Sequence, residues 1–264
     1  MRKSFFTFHI SLFALVLAAC SHIDEDERLI YVPPVDATRA VLIEDFTGQR
    51  CANCPNAAAE IARLQEQYGH ETVVAVAVHG GPLAFAGNAR NIGLSTPLGD
   101  EYVEHWGVAN TLPKGYVNRR GTPSNPEQWG TLVREATALP AVVELEATTT
   151  VEAGKVSIAV RALGLETVSG KLQVWLTESG ITAMQSMPDG TTNREYVHNH
   201  VLRAAVNGAW GSDIRLRQGE FATQEFEYTL ADDWTEANMA VVAFVYDDSG
   251  VLQVVEAKLT DDKN

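Results

Sequence analysis

Hydrophobic positions fall into two grammars along this chain. From Val41 to about Ala136, short apolar runs alternate with stretches of helical spacing. Val41-Leu42-Ile43-Glu44-Asp45-Phe46 reads as a buried strand, and Ala57, Ala58, Ile61, Ala62, Leu64, Gln65 and Tyr68 recur as on a helix. Thr72 to His79 is a second apolar run between Gly69 and Gly80-Gly81-Pro82, expected to be a buried parallel strand. Thr96, with Pro97 behind it, opens a helix to about Trp106. A proline-led strand follows at Leu112-Pro113. Asn125, Pro126 and Gln128 then start a helix whose apolar stripe is Trp129, Leu132, Val133 and Ala136.

From Ala141 the period becomes two. Val156, Ile158 and Val160 alternate with polar or small residues, as do Leu172, Val174 and Leu176, and Phe226, Tyr228 and Leu230. Glu152-Ala153-Gly154-Lys155 and Asp247-Asp248-Ser249-Gly250 read as hairpin turns. Seven or eight strands with few helical patterns predict an all-β sandwich. The pattern divides the chain at Leu139-Pro140, into 39–139 and 140–264.

Composition narrows the setting. The 264 residues are 45% hydrophobic with a formal net charge of −14, too acidic for a nucleic-acid binder and enough for a substantial core. Arg2 and Lys3 precede the apolar run Phe5 to Leu17 and then Leu17-Ala18-Ala19-Cys20. That is the layout of a signal segment, 1–19, and the cysteine at the cut resembles a bacterial lipobox. Cys20 is then the expected lipidated residue, anchoring the protein to the membrane by its acyl chains. Residues 20–38 form an acidic tether with Asp24-Glu25-Asp26-Glu27 and Pro33-Pro34. The acidic cluster resembles a surface-export signal and is equally read as a solvated spacer.

The chemistry concentrates at Cys51-Ala52-Asn53-Cys54. Strand, short loop, C-x-x-C and helix place a cysteine where free amides and the helix dipole stabilise a thiolate, and Arg50 pushes the same way. On this reading Cys51, at the exposed helix start, is the nucleophile and Cys54 resolves. Half of a zinc site, a structural disulfide and a pair of inert thiols are the competing readings. His198 and His200, two apart in what reads as one strand, face the same side as metal ligands do. With no third ligand in sight they are expected to be structural. The sequence calls for no metal and no cofactor.

The order of elements resembles the thioredoxin fold. That resemblance makes Pro113 the cis-proline beside the disulfide and Asp45 the buried proton acceptor for the resolving thiol. Arg50 stands where the family usually has tryptophan, and Ala52-Asn53 replaces Gly-Pro, which leaves the direction of catalysis open. Together, Glu44 to Pro55 and Tyr196-Val197-His198-Asn199-His200-Val201-Leu202-Arg203-Ala204-Ala205-Val206-Asn207-Gly208-Ala209-Trp210-Gly211 resemble the outer-membrane-protein-twenty-eight-related lipoproteins of Gram-negative anaerobes. The resemblance implies a cell-surface lipoprotein of the outer membrane, an α/β thioredoxin-like domain followed by an all-β, Ig-like sandwich. Two functions are consistent with it. One is thiol–disulfide exchange on extracytoplasmic proteins. The other is a surface adhesin, binding a surface ligand, in which the disulfide is a staple.

Overall fold

The computed structural model describes residues 38–259, so the signal segment, most of the tether and Cys20 lie outside it. The fold is β-rich and opens on strand β1 (Val41–Thr47), buried at all seven positions. Such complete burial needs cover on both faces, and the β-branched, apolar sequence suits it. β2 (Val73–His79) runs parallel to β1, with Asp45 opposite Ala77 and Thr47 opposite His79. α1 (Cys54–Tyr68) makes the crossover and stops at Gly69, whose φ of 91° suits glycine. α2 (Pro97–His105) starts where Thr96 accepts a bond from the Gly99 amide at 3.0 Å. β3 (Lys114–Val117) returns antiparallel along β1, and α3 (Pro126–Thr137) follows. The Asn125 amide donates to Gln128 at 3.1 Å, as the capping pattern predicts.

α1 and α3 cover one face of this sheet. Leu64, Trp129 and Val133 pack there against Val41, Ile43 and Ala75. The other face meets Tyr102 and Val103 of α2 together with Trp175, Val242 and Phe244 from the β-rich half. The two segments divided at Leu139-Pro140 thus share a core. They also share a sheet. β6 (Val168–Glu178), β9 (Val201–Ala205), β12 (Met239–Asp247) and β13 (Gly250–Lys258) continue it in the order β13-β12-β6-β9-β2-β1-β3, with β10 (Ser212–Leu216) on β6. The seam is narrow. β9 meets β2 at Val201 opposite Ala77, with the Ala77 amide donating to the His200 carbonyl at 2.8 Å.

A second sheet, in the order β11 (Phe221–Thr229), β5 (Lys155–Gly164), β4 (Val143–Glu152), faces β6, β10 and β12 across a core of Val156, Ile158, Leu172, Val174, Ile214 and Val241. The alternating burial of β5 matches the period-two pattern read from the sequence.

Two expectations need correcting. Among the described residues ten strands, not seven or eight, follow Leu139; the additions include β10 and a hairpin of β7 (Ile181–Ser186) and β8 (Thr192–His198). Its sequence is polar and lacks clean alternation because it lies over the Gln49-to-Cys51 loop rather than closing a core. Nor do His198 and His200 share a strand. β8 ends at His198, and His200 turns at φ 56° with its amide bonded to Ser179 Oγ at 3.0 Å. That turn swings the chain from the hairpin back into the large sheet.

The segment ending in Asn207-Gly208-Ala209-Trp210-Gly211 is a joint. Asn207 Oδ1 accepts from the Val174 amide at 2.9 Å, and Nδ2 donates to the Leu172 carbonyl at 2.8 Å. Gly211 sits so near the Leu172 carbonyl that a Cβ would lie 2.3 Å from its oxygen. Trp210 then reaches Glu101 of α2 through its indole N–H at 2.9 Å, while its carbonyl accepts from the Tyr246 hydroxyl at 2.8 Å.

Candidate functional site: a buried disulfide beside an open cavity

β1 delivers Thr47-Gly48-Gln49-Arg50 to the N-terminus of α1, where Cys51 and Cys54 form a disulfide. The Cys51 amide bonds the Gly48 carbonyl at 2.9 Å, closing the loop, and the helix begins only at Cys54. Both cysteines are just 3% exposed. The expected exposure of Cys51 over Cys54 is therefore absent.

The physical reason is the β7–β8 hairpin. Gln185 Nε2 donates to the Cys51 carbonyl at 2.9 Å, and the Ser186 amide donates to the Gln49 carbonyl at 2.8 Å. In return Gln49 Nε2 donates to the carbonyls of Met184 and Ile92, both at 3.1 Å, and its Oε1 accepts from the Leu94 amide at 2.9 Å. Both glutamines are buried. A piece of the β-rich half is thus pinned over the cysteine loop by bonds that neither segment could make alone. Arg50 stays exposed, its guanidinium 4.9 Å from the Phe85 ring centre.

Asp45 is buried on the same side of β1, and its Oδ1 has no hydrogen-bond partner among the described residues. Burial pushes its carboxyl up to about 8. It lines a cavity of about 860 Å³ together with Cys54, His79, Gln185, Tyr196 and His198; Cys51 is not on the wall. Exposed Ala58, Ala62, Glu66 and His70 also line it and form its mouth. Burial, then the neighbouring His198 and Arg203, holds His79 down to about 3. Burial holds His198 down to about 4, against a smaller upward pull from the Met184 backbone. Their rings meet edge-on at 5.4 Å, and His79 Nδ1 and His198 Nε2 have no partner among the described residues. Near neutral pH the bottom of the cavity holds two uncharged imidazoles, a protonated carboxyl and a disulfide.

Pro113 follows Leu112 through a cis peptide bond and precedes Lys114, the register partner of Phe46. It stands at the end of β1 that leads into the cysteine loop. His198 and His200 both line the cavity, and among the described residues no cluster of His, Cys, Asp and Glu could hold a metal ion.

Sequence reasoning missed Gln49, Gln185 and His79. It also missed Arg119, which grips Glu44 with two bonds of 2.8 Å. A charged residue inside the apolar run of β1 was the available signal for that pair, since such a charge needs a partner.

Among the described residues no helix is long and apolar enough to cross a membrane. The comparisons point to the outer membrane nonetheless. The pattern of the family "Outer membrane protein Omp28" matches residues 99–263, and the chain belongs to that family. The match takes in the Asn207-to-Gly211 joint and begins after Asp45, Cys51 and Cys54. No curated protein matches the chain. Among solved structures, HBP35 of Porphyromonas gingivalis is similar over 84% of this chain and 76% of its own, with 17% identity and a TM-score of 0.66. A protein of Agrobacterium tumefaciens is similar over 86% and 99%, with 15% identity and a TM-score of 0.55. At such identities the likeness is one of fold. A domain of the outer membrane lipoprotein Omp28 from Porphyromonas gingivalis shares 23% identity over 46% of this chain and 89% of its own, at a TM-score of 0.32.

Proposed function

We propose that this outer membrane protein carries out thiol–disulfide exchange at Cys51 and Cys54, on a thioredoxin-like domain joined to a β-sandwich. The observation that carries the reading is Asp45, buried in the same cavity as Cys54 with its Oδ1 lacking a partner among the described residues. A buried carboxyl without a partner destabilises a fold, and a position that keeps one beside a dithiol has a use for its proton. In the reduced protein one thiolate attacks a substrate disulfide and the other resolves the mixed disulfide, releasing the substrate as a dithiol. In its ionised form, populated as pH rises toward 8, Asp45 accepts the proton of the Cys54 thiol. The order of β1, α1, β2, α2 and β3 supports the thioredoxin-like reading. On it Pro113 has the substrate-facing place beside the loop, and Cys20 is the acylated anchor that holds the protein at the cell surface.

A second reading, a surface binding protein stapled by its disulfide, draws on the burial of both cysteines beneath the hairpin. Equilibration of the full chain in redox buffers separates the two. A native-state pair that is reduced reversibly, at a potential within the range of known exchange proteins, supports the enzyme. A pair that stays oxidised until the chain unfolds supports the staple.

A further inference from the structure

Resting on the exchange reading, we infer that the substrate of this site is a low-molecular-weight thiol, or its disulfide, that enters the cavity and reacts at Cys54 rather than Cys51. Three features converge on this. The hairpin is bonded to both the Cys51 and Gln49 carbonyls, so the loop face that would receive a folded protein is occupied. The cavity reaches Cys54 but not Cys51. Three polar groups at its buried end, Asp45 Oδ1, His79 Nδ1 and His198 Nε2, lack partners among the described residues. Buried polar atoms without partners are rare in folded proteins, and three around one cavity describe a place that receives a polar guest.

The walls define that guest. About 860 Å³ takes a molecule of amino-acid or dipeptide size and excludes a folded chain. Small side chains, among them Pro55, Ala58, Ala62, Ala75 and Ala77, leave the space open. Among the described residues no lysine or arginine lines it, and Glu66 is the acidic residue at the mouth. Uncharged and cationic thiols are therefore favoured over anionic ones.

The chemistry balances with the guest as co-reactant. A guest thiolate bonds to Cys54 Sγ as the Cys51–Cys54 bond breaks, and Cys51 leaves as a thiolate. A second guest thiolate attacks the guest sulfur of the mixed disulfide and forms the guest disulfide. Cys54 leaves with the electron pair and takes the proton held by Asp45. The two protons shed by the guest thiols pass through solvent to Cys51 and back to Asp45, so one protein disulfide is reduced to two thiols as two guest thiols become one disulfide. The sequence runs equally in reverse.

The test uses the oxidised mature chain and three reagents: cysteamine, glutathione and reduced thioredoxin. Appearance of free thiols is followed by alkylation and mass spectrometry. Cysteamine should reduce the pair at least tenfold faster, per thiol, than thioredoxin, and faster than glutathione. Ala62→Trp at the exposed mouth should slow cysteamine at least tenfold, and Ala58→Trp serves if the first variant does not fold. Cystamine should modify Cys54 in Cys51→Ser faster than Cys51 in Cys54→Ser. Rapid reduction by thioredoxin that neither tryptophan alters, or the reverse order of cysteine labelling, would overturn the cavity route while leaving exchange intact. Resistance to all three reagents until urea unfolds the chain would overturn the exchange reading itself.

Discussion

Glu44 and Asp45 are neighbours on one buried strand, and the fold treats them in opposite ways. Glu44 points to the face shared with the β-rich half. There Arg119 meets it through Nε and Nη2, both at 2.8 Å, and Trp106, Trp175, Phe244 and Tyr246 lie within 6 Å of the guanidinium. Burial works against the Arg119 charge, but the Glu44 carboxylate outweighs it and raises the arginine's pKa. Asp45 points to the cavity, and its Oδ1 finds no partner among the described residues. A strand alternates faces, so adjacent carboxyls are bound to part company. What this pair teaches is that burial alone does not mark a working residue. The satisfied carboxyl holds an arginine that packs on rings of the β-rich half, and on the exchange reading the unsatisfied one has the proton to give.

The comparison breaks most visibly at Arg119. Arg119→Ala leaves the Glu44 carboxylate buried and unpaired, a change that costs about 3–5 kcal/mol. Denaturant unfolding should show that loss, and because α2, β6 and β12 meet at this point, the transition should remain single. Variants that still fold should keep the exchange rate per folded molecule. If Arg119→Ala abolished exchange in a folded protein, the division between a structural and a chemical carboxyl would fail.

Asp45 should answer with the opposite sign. Its folded value of about 8 lies far above that of an unfolded aspartate, so its contribution to stability is complete below about pH 4 and is lost as pH rises toward 8. Asp45→Asn should therefore stabilise the protein at pH 8 by about 2 kcal/mol or more, with the gain shrinking to nothing near pH 4. His79 and His198 act from the other side. Their folded values of about 3 and 4 mean that stability present above pH 6.5 is lost as pH falls through that window. Midpoints of urea unfolding against pH should pass through a maximum near pH 6.5, and Asp45→Asn should flatten its alkaline side. A maximum unmoved in that variant would show that Asp45 has a partner and belongs with Glu44.

These two carboxyls also mark how far the sequence could be read. β1, α1, β2, α2, β3 and α3 were legible because their periods, caps and breakers are local; Thr96, Asn125 and Gly69 sit where the pattern places them. The spacing of Cys51 and Cys54 allowed a disulfide among other readings, and the burial of Asp45 was implied by the resemblance to the thioredoxin fold. The hairpin was not. Ile181 to His198 is polar and irregular, and it is ordered through Gln185 and Ser186 bonding carbonyls more than 130 residues away. Nothing local announces a glutamine whose partner is a distant backbone. Glu44 inside an apolar run signalled that a cation was needed but not that Arg119 supplies it, and the break at His200 depends on Ser179, on the far side of the hairpin.

The smallest effect tests the hairpin itself. Gln185→Ala removes donors to the Cys51 and Gly48 carbonyls at 2.9 and 3.4 Å and leaves those acceptors near a small void. One such bond is worth about 1 kcal/mol, so global unfolding should shift only slightly. The local consequence is larger, because the hairpin pairs with nothing but itself as a sheet and depends on these contacts for its seat. Amide hydrogen exchange should therefore quicken through β7 and β8 and in the Gly48-to-Cys51 loop, while β1 and β6 stay protected. Reduced thioredoxin should gain access to the disulfide in the same variant, with cysteamine little changed. Uniformly faster exchange across β1 and β6 would mean that Gln185 supports the whole fold, and the hairpin would then be part of the core rather than a cover over the cysteines.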